Sequence, residues 1–228
     1  MSLYCYCRRL YRMLSQYYTV NLEGSEQMIV QKSRFIGYVR RVETEQEALD
    51  FIQEIKKQHH DATHNCSAYI IGEHDHIQKA NDDGEPSGTA GVPMLEVLKK
   101  QSLKDTAVVV TRYFGGIKLG AGGLIRAYGT MTSKAIQATG VVKRQLMQGV
   151  YVTVDYTLIG KLENELRQSE YILKGIDYQE KVTFHVYVKK ENVPDFCEWI
   201  INLTSDQALI KDGTLAYIEI PVASTKSD

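Results

Sequence analysis

The sequence predicts an α+β protein of two domains, and three observations carry that expectation. The stretch from Gly149 onward reads as strand, helix, strand, strand, helix, strand. Thr106–Tyr113 is a β-rich run whose Ala107–Val110 segment is wholly apolar, the pattern of a strand covered on both faces. A glycine-rich turn follows that run and leads into a stretch whose apolar residues recur at helical spacing.

Ahead of the apolar run, Gln27–Gln31 and Arg34–Val42 pair around a short turn. Glu43–Lys57 brings Ala48, Phe51, Ile52 and Ile55 onto one side of a helix. Asn65–Gly72 and Ile77–Ala80 form a hairpin around Glu73–His76, ending in the acidic loop Asp82-Asp-Gly-Glu-Pro-Ser87. Pro93 suits the first turn of a helix reaching about Lys100, where a missing N–H costs nothing. Beyond the glycine turn, Leu124, Tyr128, Met131, Ala135 and Ala138 make one stripe of a helix that stops at Gly140. Arg126, Thr130 and Lys134 lie on another face of it. Further on come a strand at Gly149–Tyr156, a helix at Ile159–Ser169 and strands at Tyr171–Gln179 and Lys181–Val188. A helix at Val193–Leu203, with Phe196, Trp199, Ile200 and Leu203 on one side, and a strand at Ala216–Val222 close the chain. This βαββαβ order is that of a ferredoxin-like sandwich, a sheet backed by two helices. The boundary therefore falls between Gly140 and Gly149. Residues 1–17 read as a tail, 18–142 as the first domain and 143–228 as the second.

The totals are those of an ordinary globular protein, 43% hydrophobic and 24% charged over 228 residues. A net charge of −1 means that any site for an anion has to be a local patch. The cysteines Cys5, Cys7, Cys66 and Cys197 form no CxxC pair, so neither a disulfide framework nor a zinc motif is expected, and a reducing cytoplasm is. No apolar run approaches the roughly 20 residues that span a bilayer, so no membrane partner is expected. Met1–Gln16 is basic and tyrosine-rich without the apolar core of a signal peptide.

Local charge carries the functional signal. From Thr106 to Val154 there is no aspartate or glutamate, whereas Arg112, Lys118, Arg126, Lys134, Lys143 and Arg144 all fall there. Backbone N–H groups of a glycine turn beside a helix start, flanked by cations, favour a phosphate-bearing partner. Arg112, Tyr113, Gly115, Gly116, Lys118, Gly120, Gly122, Gly123 and Arg126 are the candidate anion- or nucleic-acid-binding residues, with Tyr113 available to stack on a base. The turn matches no known phosphate loop: Ala121 and Gly122 replace the Lys and Ser/Thr of a Walker motif, and Ile125 replaces the third glycine of a dinucleotide fingerprint.

In the acidic loop, Asp82, Asp83, Glu85, Ser87 and Thr89 are candidates for ordering the two loops against each other, a carboxylate pairing with Arg112 or Arg126. The alternative is acid–base or metal chemistry. The spacing fits no calcium loop, and no metal or other cofactor is expected. His59, His60, His64, His74 and His76 read as loop residues.

Residues 81–91 and 111–128, together with His64-Asn-Cys-Ser-Ala-Tyr69 and Lys32-Ser-Arg-Phe35, resemble the Impact family, in its bacterial two-domain YigZ/YvyE branch. The resemblance runs from about residue 18 to the end. It implies a first domain like the second domain of ribosomal protein S5 and a ferredoxin-like second domain. That pair is similar to consecutive domains near the C-terminus of elongation factor G, which touch the ribosome. It further implies a translation-linked regulator and establishes no catalytic residue. The leading expectation is thus a cytoplasmic, non-catalytic protein contacting RNA or the ribosome. The alternatives are an enzyme or binding protein for a phosphorylated small molecule or nucleotide, and an interaction module for a translation factor.

Overall fold

The computed structural model describes residues 13–222, so residues 1–12 of the expected tail 1–17 lie outside the described residues. The described residues divide into two compact units, 13–144 together with 219–222, and 145–218.

The first unit contains β1 (Gln16–Val20), β2 (Glu23–Val30), β3 (Ser33–Arg41), α1 (Glu45–Gln58), β4 (His64–Ile71), β5 (Ile77–Asn81), α2 (Gly91–Lys100), β6 (Thr106–Tyr113) and α3 (Gly120–Thr139). Five strands make an antiparallel sheet in the order β2-β3-β6-β4-β5. Side chains alternate across a strand, and here both faces are covered. Val108 and Val110 of β6 pack with Met94 and Leu98 of α2 and with Tyr128 and Met131 of α3. Ala107 and Val109 pack with Ala48, Phe51 and Ile55 of α1 on the other face. That two-sided burial is why β6 is continuously apolar. β1 starts within the stretch read as tail, because Tyr17, Thr19 and Val20 are buried.

Helix ends follow local chemistry. Thr44 caps α1, accepting from the Glu47 N–H at 3.2 Å. Gly140 ends α3 at φ +84°, a conformation that glycine adopts without the Cβ penalty. α2 has no cap of its own at Ala90, and the acidic loop supplies one. Asp82 accepts from the N–H groups of Ala90 at 3.0 Å and Gly91 at 2.8 Å.

The second unit is built on β7 (Val141–Val154), α4 (Ile159–Gln168), β8 (Ile172–Tyr178), β9 (Val182–Lys189), α5 (Val193–Thr204) and β10 (Leu209–Pro221). Among its own strands β10 pairs with β7, β7 with β9 and β9 with β8, which is the ferredoxin-like order. Val150, Val152, Phe184 and Val186 on the sheet meet Leu162 and Leu166 of α4 and Phe196 and Ile200 of α5. β7 begins at Val141, ahead of the expected Gly149, and its first residues belong to the first unit. β10 begins at Leu209 rather than Ala216. Its turn-like Asp212-Gly213 stays in the strand because a bare glycine can lie against β7: a Cβ there would come within 3.0 Å of the Gly149 carbonyl oxygen. The protein is therefore α+β, a helix-covered five-stranded sheet followed by a βαββαβ unit.

Candidate functional site

At the C-terminal end of β6 the chain turns through Phe114–Leu119 into α3. Gly115 is fixed there by close approach, since a Cβ on it would stand 2.1 Å from the carbonyl of Lys32. Its N–H donates to Ser33 Oγ at 3.2 Å, tying the loop to the β2–β3 turn. In that turn both Gln31 (φ 44°) and Lys32 (φ 66°) are left-handed, the geometry that matches the twist of a two-residue hairpin. Gly116 (φ 84°) and Gly120 (φ 71°) are glycine for conformational reasons. Gly122 and Gly123 lie in the first turn of α3, which carries no acid and no side-chain cap. Its leading N–H groups thus supply a positive helix end without a side-chain partner.

Two of the expected contacts take other roles. Arg112 is 5% exposed, with Nη1 donating to Glu85 Oε1 at 2.6 Å and Nη2 to Ser33 Oγ at 3.3 Å. Glu85 Oε1 also accepts from the Tyr128 hydroxyl at 2.8 Å. The arginine expected to meet an anion is consumed inside the protein and locks the acidic loop onto β6 and α3. Tyr113 is its neighbour in sequence but lies on the opposite face, as strand alternation requires. Its hydroxyl donates to Asp61 at 3.1 Å, and the Arg34 guanidinium lies 4.4 Å above its ring. Tyr113 is held on that side and does not share a surface with α3.

The acidic loop is committed to structure. Asp82 accepts from Gly88 N–H at 2.8 Å besides capping α2. Burial alone would raise its pKa, and the Gly88, Gly91 and Ala90 N–H groups outweigh burial and lower it. Asp83 bonds Lys56 Nζ at 2.6 Å and the Asn65 N–H at 2.7 Å, and these likewise outweigh burial and depress its pKa. Thr89 Oγ1 donates to the Pro86 carbonyl at 2.6 Å, while Ser87 is exposed. Among the described residues no group of three or more His, Cys, Asp or Glu side chains is arranged to hold a metal ion.

Sequence reasoning missed two histidines. His64 Nδ1 donates to the Asp83 carbonyl at 2.8 Å, and its Nε2 faces Glu85 at 3.9 Å. His59 is buried between two phenols, Tyr38 at 2.6 Å and Tyr113 at 2.9 Å. Spacing alone held no signal for either, because their partners are far away in sequence. Cys66 is also buried here, its Sγ 3.0 Å from the Asp82 carbonyl and 3.3 Å from the Tyr128 hydroxyl. Burial pushes its thiol up to about 12.

What remains open to solvent is a set of cations around the glycine turn. Lys118 and Arg126 are exposed and have no ion-pair partner among the described residues. Lys32, in the β2–β3 turn against Gly115, joins them in the same condition. Arg126 borders a groove of about 250 Å³ floored by Met28, Val30, Leu119 and Ala127. That is smaller than the roughly 300–1,000 Å³ clefts that enclose whole small-molecule ligands.

A helix-covered antiparallel sheet whose acidic loop is clamped by a buried arginine, followed by a ferredoxin-like unit, defines a class of two-domain α+β proteins. A family model described as the Impact N-terminal domain matches residues 31–136, and one described as a domain of unknown function (DUF1949) matches residues 152–207. The chain is 60% identical over 214 residues to the IMPACT family member YvyE of Bacillus subtilis (strain 168), covering 94% of this chain and 99% of that one. It is 33% identical over 169 residues to the IMPACT family member YigZ of Escherichia coli (strain K12), covering 73% and 83% respectively. A solved structure titled as the crystal structure of an hypothetical protein superposes with a TM-score of 0.57 at 26% identity, over 89% of this chain and 99% of that one. The chain belongs to the IMPACT family.

Proposed function

We propose that this protein contacts RNA or the ribosome through the exposed face around the glycine turn, in the cytoplasm, and that the contact serves the regulation of translation. The observation that carries the reading is the set of exposed cations Lys32, Lys118 and Arg126, without an ion-pair partner among the described residues, beside the start of α3, which has no side-chain cap. A phosphate at such a helix start gains roughly 0.3–1 kcal/mol from the dipole, so affinity has to come from several cations acting on several phosphates. Family membership supports the link to translation, and no helix among the described residues is long and apolar enough to cross a membrane. The enzymatic alternative has less support, because Asp82, Asp83 and Glu85 are committed to hydrogen bonds and ion pairs inside the protein.

RNA binding measured against salt tests the reading. The wild type gives a steep negative slope of log affinity on log salt, and Lys118→Ala/Arg126→Ala lowers that slope by about 0.7–0.9 per lost phosphate contact. Identical slopes for both proteins would show that Lys118 and Arg126 meet no phosphate. A second reading, docking of a translation factor, draws on the exposed Ile117 of the glycine turn and Ile125 of α3, the residue before Arg126. Capture of that factor undiminished by nuclease treatment would favour it.

A further inference from the structure

We infer that the RNA segment this face takes is unpaired, with Phe114 as the platform on which one base stacks. The inference rests on the RNA-contact reading above and specifies its ligand. Phe114 leaves β6 at the head of the glycine turn and is 47% exposed, while its ring centroid lies 5.4 Å from the Arg112 guanidinium carbon. That guanidinium is immobilised by Glu85 and Ser33, and the Phe114 N–H donates to Thr63 Oγ1 at 3.0 Å. One side of the ring is thus backed by a fixed cation, and the backbone that carries it is pinned. An aromatic ring left in water is ordinarily unfavourable, and here it heads a turn that also carries the 42% exposed Ile117 and the exposed Lys118, with the backbone of the exposed Lys32 packed on the next residue, Gly115. A duplex would present phosphates to those lysines and keep its bases stacked inside, leaving Phe114 without a partner. An unpaired strand presents phosphates and free base faces together, the combination that single-strand binders meet with cations and aromatic platforms. The small groove beside Arg126, apolar on its floor, adds a place for a sugar or a second base edge. Arg112 gains a function in this scheme as a positioning residue for the ring, which its burial denied it as a phosphate contact.

Fluorescence anisotropy with a labelled polyuridine strand, and with its duplex on polyadenine at the same length and salt, tests the inference. Polyuridine is expected to bind the wild-type chain about tenfold more tightly than the duplex. Phe114→Ala is expected to weaken polyuridine binding about tenfold with the salt slope unchanged, and Phe114→Trp to retain it. Equal or tighter duplex binding, or an unaltered Phe114→Ala, overturns the unpaired-strand inference and leaves the RNA-contact reading standing. Failure of the wild type to bind either RNA overturns both.

Discussion

Arg112 and Glu85 form an ion pair buried on both sides, and such a pair behaves unlike a surface one. Removing one partner leaves an uncompensated charge inside the protein, whereas replacing both with apolar groups of similar volume removes the desolvation cost along with the attraction. Glu85→Ala is therefore expected to destabilise the first unit by about 3–5 kcal/mol, and Arg112→Met/Glu85→Leu to recover most of that loss, as read by urea denaturation. A double variant no more stable than Glu85→Ala would mean that Tyr128 and Ser33, rather than the charges, hold the loop. The acid content of the loop and the candidacy of Arg112 were legible in the sequence, and so was an ion pair between loop and arginine. Which arginine would pair was settled by alternation along β6, where Arg112 shares a face with Val108 and Val110 and so turns toward α2 and α3. Arg126, on the outer face of α3, stays in water. The same alternation separates Arg112 from Tyr113, which adjacency in sequence had suggested would act together.

The glycine turn works as one element, yet its glycines are there for different reasons. At Gly115 the obstacle is the backbone of Lys32, which cannot move without breaking the β2–β3 turn. Open space surrounds Gly116, and only its positive φ resists a side chain. Gly115→Ala is expected to destabilise by about 3 kcal/mol, the upper end of what overpacking costs, and to displace the turn. Gly116→Ala is expected to cost about 1–2 kcal/mol with the turn in place. Thermal denaturation of the two variants checks the order, and equal losses would show that conformation rather than contact governs both positions. Existence and order of the elements were legible from periodicity over most of the chain, down to the bounds of β6. The strand β1, which the sequence reading left in the tail, and the early starts of β2, β7 and β10 were not, because nothing local in those strands marks where pairing begins. Tyr17 and Val20 gain their burial from distant partners, and Gly213 is tolerated only because Gly149 lies opposite. The capping of α2 by Asp82 escaped for the same reason, since no sequence signal marks a cap reaching in from another loop.

Across the molecule as a whole, stability should carry the signature of His59. Burial first, and the Arg34 charge second, hold its pKa below the ordinary value, with Asp61 opposing them. An unfolded histidine titrates near about 6.5, so between that pH and the lower folded value only the unfolded chain takes the proton. The contribution is complete above about pH 6.5, falls as the pH drops through that window, and levels off below the folded pKa. Denaturation midpoints should therefore decline as the pH falls below about 6.5 in the wild type and decline less in His59→Gln. Parallel curves would place the sensitivity elsewhere. Cys66 gives the fold one more property. Its thiol is enclosed where β4, the acidic loop and α3 meet, and it stays protonated at neutral pH. Any electrophile must wait for that junction to come apart before it can react. In a chain whose other three cysteines are replaced by serine, the rate of alkylation becomes a clock for breathing of the first unit.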